Sequence, residues 1–279
     1  MGRVNWESRN VTFQAYLFSI VLFLATDYLV EAQQPIAVTV FEGARLIVGD
    51  GSAPVADAAF IVENGRFTAV GRKGQLKVPA GAARVDLTGK TVIPAIIDAH
   101  KHLAVTRDAL VDQLQHLAYY GIGAAMSLGQ DTGDVAFQVR AETIPNAARL
   151  RTAGRGLTGP EPGRTEAPYW VKSEAEVRKD VRELAERKVD IVKIWVDDRD
   201  HTVTKLSPEL YRAAIDEAHK HNLRVIAHIF TLEDAKGVLR AGIDAFAHSV
   251  RDKDIDDEFI KMMKARPNMI VDPNLPDRG

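Results

Sequence analysis

The stretch Val189-Asp-Ile-Val-Lys-Ile-Trp-Val196 begins the part of the sequence that decides the fold. Its length and its apolar and β-branched residues predict a β-strand. Ser207-Pro208 then begins a helix with proline at the favoured first position, and the helical pattern continues to Asn222. Residues 223–230 form the next predicted strand. This order of strand, helix and strand predicts a parallel sheet covered by helices.

The same alternation extends along the chain in both directions. Residues 91–97 form a continuous apolar run, which is typical of a strand buried on both faces. The further predicted units are a helix over 107–120, strands at 122–128 and near Arg149, a helix opened by the Ser173–Glu176 capping box, and, after residue 230, a helix over 232–239, a strand over 243–250, a helix over 255–264 and a strand over 269–271. With about seven strands, residues 91–279 predict an α/β fold, a TIM (β/α) barrel that is incomplete because it stops before its eighth strand.

Two different segments precede the predicted barrel. Residues 33–90 contain short β-rich runs and the hairpin signal Asn64-Gly65, which predict a small β-sandwich module. Residues 1–32 read as a signal peptide, because Arg3 and Arg9 precede an uncharged apolar run that ends near a small-residue cleavage box. We therefore expect export to the periplasm or the medium. An uncleaved membrane anchor and a buried core helix are the alternatives, and only the anchor implies contact with a membrane.

The composition excludes several classes of protein. The chain has 36 Lys and Arg against 38 Asp and Glu and no block of like charges, so it lacks the basic footprint of a nucleic-acid binder. It has no Cys, which excludes disulfides, thiolate zinc sites and Cys nucleophiles. We expect a small-molecule substrate, and the sequence leaves the oligomeric state open.

Four of the eight His residues lie at or just after the ends of predicted strands. These are His100, His102, His228 and His248. The carboxyl ends of barrel strands meet at one mouth, where active sites of this fold are found. Neutral imidazoles gathered there suit zinc or a similar divalent ion. The remaining residues, predicted to lie on solvated helix faces or in a polar loop, are His116, His201, His219 and His221.

Lys193 is the fifth candidate, because it lies inside an apolar strand. A buried ammonium must pair, reach solvent or lose its charge. Desolvation lowers the pKa of the amine, and the neutral amine can take up carbon dioxide to form a carbamate able to bridge two metal ions. The alternative is an edge-strand lysine whose ammonium reaches solvent.

Four segments resemble strand-end motifs of the metal-dependent amidohydrolase superfamily, particularly its imidazolonepropionase- and prolidase-like members. They are Ile93-Pro-Ala-Ile-Ile-Asp-Ala-His-Lys-His102, Val189-Asp-Ile-Val-Lys-Ile-Trp-Val-Asp-Asp198, Arg224-Val-Ile-Ala-His228 and Ile243-Asp-Ala-Phe-Ala-His248. The resemblance implies two divalent metal ions, with zinc as the expected metal. It also implies that His100 and His102 bind one ion, that His228 and His248 bind the other, and that carbamylated Lys193 bridges them.

The resemblance further implies hydrolysis of amide-type C–N bonds by metal-activated water, with an Asp at the end of an eighth strand moving the proton. That strand is missing from the pattern. Asp272 comes one β/α unit too early and Asp277 lies in a Pro- and Gly-containing segment, so we expect neither to replace it and assign no catalytic residue beyond the metal ligands. Lys101 is expected on the opposite strand face. Asp197, Asp198 and Asp200, just beyond Lys193, are expected in a solvated loop, and contact with the substrate is the alternative. The alternatives are a catalytically impaired metal-binding fragment and a membrane-anchored scaffold.

Overall fold

The computed structural model describes residues 38–164 and 166–273, which divide into two compact units between Pro94 and Ala95. The predicted signal segment, residues 1–32, lies outside the described residues, as does Asp277, so export stays a prediction. Within the described part of the chain, no helix combines the length and the apolar character needed to cross a membrane.

The first unit contains one five-stranded sheet with the order β3-β2-β1-β4, and β5 pairs with β1. Its strands are β1 (Val38–Leu46), β2 (Val55–Glu63), β3 (Arg66–Arg72), β4 (Ala83–Asp86) and β5 (Thr91–Val92). The antiparallel β2–β3 hairpin turns at Asn64 and Gly65, whose φ angles of 50° and 71° are those of the primed turn that this dipeptide favours. The described residues of this unit form a single sheet, so the expected sandwich is not confirmed.

The second unit alternates strands and helices. Its strands are β6 (Ile96–Lys101), β7 (Ile122–Ser127), β8 (Arg149–Thr152), β9 (Leu157–Thr158), β10 (Tyr169–Trp170), β11 (Val192–Val196), β12 (Val225–Ile229), β13 (Ala245–Phe246) and β14 (Ile270–Val271). Its helices are α1 (Arg107–Tyr119), α2 (Val135–Ala141), α3 (Glu174–Glu186), α4 (Pro208–Lys220), α5 (Leu232–Ala241) and α6 (Asp257–Lys264).

These strands form two parallel sheets, one with the order β6-β7-β8 and one with the order β10-β9-β11-β12-β13-β14. The predicted α/β fold with parallel strands is therefore confirmed. A single closed barrel is not confirmed, because the described strands are divided between these two sheets.

The main apolar core fills the space between the larger sheet and the helices that cover it. The outward residues of β11 and β12, such as Val192, Ile194 and Ala227, belong to this core together with Val181 of α3 and Ile215 of α4. The opposite faces of the strands contribute Ile226, Ala245 and Ala247 to a second, smaller cluster with Leu128. We call this second side of the sheet the inner face.

The predicted strand over residues 91–97 is wrong in its extent and its burial. Thr91 and Val92 belong to the sheet of the first unit, and the next strand begins only at Ile96. Pro94 lies between them and has no N–H to donate to a ladder. Ile96 and Ile97 are 53% and 62% exposed, because β6 is an end strand of the sheet that the described residues form. β14 is the corresponding end strand of the larger sheet, and its Ile270 and Val271 are also exposed.

Candidate active site

The structure brings the four predicted histidines together at the carboxyl ends of three strands. His100 lies in β6 and His102 just beyond it, His228 lies in β12, and His248 follows β13. The ring centroids of His100 and His102 are 5.2 Å apart, those of His100 and His248 are 4.8 Å apart, and those of His228 and His248 are 4.5 Å apart. We call these four side chains the imidazole cluster.

Burial keeps members of the imidazole cluster neutral at physiological pH. It lowers the pKa of His102 and of His228 to about 4. It lowers the pKa of His248 to about 2, with a further contribution from the neighbouring His228 and His100. A neutral imidazole keeps one nitrogen lone pair, which is the form that binds a metal ion.

Two ring nitrogens of the imidazole cluster lie within hydrogen-bond distance of groups outside the cluster. His100 Nδ1 lies 3.1 Å from the carbonyl oxygen of Ala247, and His228 Nε2 lies 3.0 Å from Asp197 Oδ2. Among residues 38–164 and 166–273, no group of three or more His, Asp or Glu residues has the arrangement of a formed metal site. The assignment of these histidines as metal ligands therefore stays a prediction.

Lys193 lies in the middle of the larger sheet, with β9 on one side of its strand and β12 on the other. It is completely buried, and its Nζ has no hydrogen-bond partner in the described part of the chain. Nζ lies 5.1 Å from the ring centroid of Trp195. Burial lowers the pKa of Lys193 to about 7, against the opposing effect of the Asp272 carboxylate. The alternative of an edge-strand lysine reaching solvent is wrong.

Asp197 is a functional candidate for which the sequence left contact with the substrate only as an alternative. It follows β11 directly and was expected in a solvated loop, but only 11% of its side chain is exposed. Its carboxylate bonds His228 and also accepts a hydrogen bond of 2.6 Å from Arg199. Burial alone would raise the pKa of Asp197, but the bonds from His228 and Arg199 hold it well below its usual range. Its place directly after a buried strand is the signal that could have identified it.

A cavity of about 210 Å³ lies beside the imidazole cluster. Its lining includes two histidines, one aromatic ring and three charged side chains: His102, His228, Trp195, Glu161, Arg164 and Arg199. The buried carboxylate of Glu161 pairs with Arg164 at 3.2 Å and with Arg199 at 3.4 Å. The volume and the mixed lining suit a small polar organic molecule.

The absence of a side chain at Gly156 leaves the space that the Trp195 ring occupies. A Cβ at position 156 would overlap the Trp195 ring and would lie 2.9 Å from the carbonyl oxygen of Lys193. We expect Gly156→Ala to destabilise the protein by about 1–3 kcal/mol, because the ring and strand β11 must both shift. Urea unfolding followed by circular dichroism measures this change, and an unaltered unfolding midpoint would contradict the close packing.

The other predicted positions lie on the surface of the second unit. His116 is exposed on α1, His201 bonds Asp198, His219 bonds Asp244 at 2.9 Å and His221 pairs with Glu217 at 3.7 Å. Lys101 forms an ion pair with Asp98 at 3.8 Å. His201, His219, His221 and Lys101 thus contact carboxylates, whereas the described contact of His116 is with the ring of Tyr120, at 5.1 Å between centroids.

Comparison with known proteins supports the resemblance seen in the sequence. The sequence model of the Amidohydrolase family matches residues 91–276. The chain therefore belongs to the amidohydrolase family.

Three similar proteins illustrate this relationship. An uncharacterized protein of Mycobacterium tuberculosis is 26% identical over 201 residues, which cover 69% of this chain and 53% of that protein. An imidazolonepropionase of Cereibacter sphaeroides is 37% identical over 81 residues, covering 28% of this chain and 20% of that enzyme. The crystal structure of a "putative prolidase" from Bifidobacterium longum superposes with a TM-score of 0.70 at 29% identity, covering 84% of this chain and 59% of that one. The chain thus spans about half the length of the relatives that it matches over most of its own sequence.

Proposed function

We propose that this protein is a metal-dependent hydrolase of amide-type C–N bonds, with a small organic molecule as its substrate. The observation that carries the proposal is the imidazole cluster, in which side chains from three strands meet beside a buried lysine whose Nζ has no hydrogen-bond partner in the described chain. Family membership supports the same reaction class.

The chemistry of the donor groups fits divalent metal ions. Several neutral imidazoles and a buried amine form a set of nitrogen donors that carries little charge of its own. We propose that His100 and His102 hold one ion, that His228 and His248 hold a second, and that both ions are zinc. Divalent ions held there would polarise a substrate carbonyl and lower the pKa of water to about 7.

The protein's own groups set the proton positions in this cluster. A carboxylate can only accept a hydrogen bond, so the ionised Asp197 requires the proton of His228 on Nε2 and leaves the lone pair on Nδ1. By the same argument, the Ala247 carbonyl requires the proton of His100 on Nδ1. These two contacts select the nitrogen that each ring presents to a metal ion.

Lys193 has the properties needed for carbamate formation. Its buried amine is partly neutral near pH 7, and only a neutral amine carries the lone pair that attacks carbon dioxide. In this reaction an N–C bond forms as one C=O π bond of carbon dioxide breaks, one proton passes from the nitrogen to solvent, and the product is an anionic two-oxygen group. That group would supply negative charge to a site whose other donors are neutral.

Metal content and hydrolysis together test the proposal. Purified protein, incubated with Zn²⁺ and bicarbonate and then desalted, should hold about two zinc ions per chain by elemental analysis. It should hydrolyse at least one member of a panel containing an Xaa-Pro dipeptide, an imidazolone and a lactam, and a chelator should abolish this activity. Zinc binding without hydrolysis would favour a non-catalytic metal-binding protein, and the absence of stoichiometric zinc would refute the metal centre itself.

Asp197 should act as a positioning residue for His228. Replacing it with alanine removes the acceptor that fixes the His228 tautomer, so we expect zinc affinity to fall by about 10–100-fold. Titration with a competing chromophoric chelator measures the affinity, and the ¹⁵N chemical shifts of the imidazole report the tautomer. Asp198→Ala is the matched control, because the neighbouring Asp198 bonds exposed His201 instead. Equal affinities in the two variants would contradict the role of Asp197.

A further inference from the structure

The indole ring of Trp195 belongs to the inner face of the larger sheet, beside the imidazole cluster. The parallel register pairs Trp195 with His228 and Lys193 with Ile226. Paired residues of neighbouring parallel strands point to the same side of the sheet, and Ile226 belongs to the inner face. Residues 193 and 195 are two apart in one strand, so both side chains point to this face. Trp195 is therefore the neighbour of His228 on the adjacent strand.

The surroundings of Trp195 differ from those of an aromatic residue in an apolar core. Trp195 is only 5% exposed, yet none of the apolar clusters in the described part of the chain contains it. The His102 ring stacks on the indole at 6.4 Å between centroids, with 22° between the ring planes. Lys193 Nζ lies 5.1 Å from the ring centroid. The neighbours of the ring are thus residues of the candidate site.

Two glycines pack directly against the six-membered ring of the indole. A Cβ at Gly129 would lie 2.6 Å from Trp195 Cη2, and a Cβ at Gly156 would overlap Cζ3. A side chain at either position would therefore need the space that the ring fills. The ring in turn has no room to move toward either backbone segment, so its position in the site is fixed.

The same ring forms part of the wall of the cavity of about 210 Å³. His102 and His228 line the cavity beside it. The rest of the described lining is mostly polar and includes Gln130, Thr158, Glu161, Arg164 and Arg199. Because only 5% of Trp195 is exposed, the cavity meets too little of the indole for a ligand to stack on its face. The ring therefore acts as a wall that limits the cavity next to the imidazole cluster.

We infer that Trp195 is a specificity-determining residue, and that its indole excludes bulky groups from the space beside the imidazole cluster. A substrate carbonyl held at ions bound by His102 and His228 would bring its acyl substituent against this ring. The site therefore takes substrates with a small aliphatic acyl group, whereas an aromatic acyl group would overlap the indole. This inference rests on the proposed function, because it needs metal ions at the cluster, and it adds the class of substrate.

The test compares two zinc-chelating probes of different size, acetohydroxamate and benzohydroxamate. Both bind zinc through the same two oxygens, and they differ in carrying a methyl or a phenyl group. Isothermal titration calorimetry measures their affinities for the zinc-loaded full chain and for Trp195→Leu. We expect Trp195→Leu to bind benzohydroxamate at least about 10-fold more tightly than the unaltered protein does, with little change for acetohydroxamate. The reason is that the space left by a large side chain is only partly filled by its surroundings.

Trp170→Leu is the matched control. It also replaces an indole by leucine, but Trp170 lies in β10 and is not among the described residues that line the cavity. Its affinities for both probes should equal those of the unaltered protein. A gain in affinity for the larger probe cannot come from a general loss of structure, so it separates a wall from a merely structural residue. Trp195→Phe should show a smaller gain, and it decides the question if Trp195→Leu fails to fold.

The outcomes distinguish this inference from the proposed function. Unchanged or weaker benzohydroxamate binding by the Trp195 variants, with acetohydroxamate binding retained, would overturn the role of Trp195 and leave the proposed function intact. Zinc binding by the unaltered protein without binding of either hydroxamate would also overturn this inference alone, since the cavity would then not adjoin the ions. No zinc binding by the unaltered protein would overturn both.

Discussion

Replacement of His228 by alanine should remove stoichiometric zinc and lower C–N bond hydrolysis by at least about 100-fold. Replacing a residue that hydrogen-bonds to a metal ligand typically lowers metal affinity or activity by about 10–100-fold. Replacing a ligand itself should lower them at least as much. His228 lies 4.5 Å from His248 between ring centroids and is fixed by Asp197, so its removal takes out a proposed ligand and the ring contact with His248, while the backbone pairing of β12 with β13 remains. Elemental analysis after desalting and steady-state kinetics measure the two effects.

The matched control for this variant is His116→Ala. It removes one imidazole as well, but from the exposed face of α1, and should leave zinc content and hydrolysis unchanged. His228→Asn retains a polar side chain at the same position. A loss of zinc in this variant as well would separate the effect of the missing imidazole from unfolding of the alanine variant. Full zinc content in both His228 variants would contradict the assignment of this residue.

Replacement of Lys193 by methionine should stabilise the metal-free protein while it abolishes carbamate formation. Methionine has a similar volume and no charge to desolvate, whereas Lys193 is completely buried and its Nζ has no hydrogen-bond partner in the described chain. The fall of its pKa from 10.5 to about 7 corresponds to at most about 5 kcal/mol. The charge of Asp272 offsets part of this cost, so we expect a gain of about 1–4 kcal/mol at pH 6.

The stabilising effect should depend on pH with a defined sign. Between pH 7 and about 10 the unfolded chain keeps the proton of Lys193 and the folded protein releases it, so the free energy of unfolding of the unaltered protein rises with pH. The advantage of the methionine variant is therefore largest below pH 7 and shrinks as the pH approaches 10. Urea unfolding of chelator-treated protein at pH 6 and pH 9.5 measures both values.

Lys236→Met is the informative control for this experiment. The Lys236 side chain is also covered, but its ammonium contacts Asp256 at 2.6 Å and Glu258 at 2.8 Å, and these bonds raise its pKa. Its replacement should therefore not stabilise the protein at pH 6. A Lys193→Met variant that is less stable than the unaltered protein at pH 6 would contradict this prediction. It would show that contacts of the Lys193 ammonium offset the free-energy cost of its burial.

Strong local patterns made the main elements predictable from the sequence. The alternation of apolar strands and amphipathic helices gave β11, α4 and β12, and the Ser173–Glu176 capping box is present as predicted, with Glu176 N–H donating to Ser173 Oγ. Helix α2 and the two-residue strands β9 and β10 were missed, because such short elements carry too few residues for a periodic pattern.

Site residues could be predicted only where the residue type is unusual for the surrounding sequence. A lysine or a histidine inside an apolar strand is conspicuous, so Lys193 and the imidazole cluster could be identified. Asp197 looks like any polar residue after a strand, and its burial comes from contact with His228 on a different strand.

The exposed isoleucines of β6 and β14 have a consequence for how the protein must be handled. These strands end the two parallel sheets in the described residues, and apolar edge strands readily recruit a strand from another molecule. β6 also carries His100 near its carboxyl end. A neighbouring molecule that pairs with β6 would also restrict the movement of His100, so we expect self-association and the proposed metal affinity to change together as the protein concentration is varied.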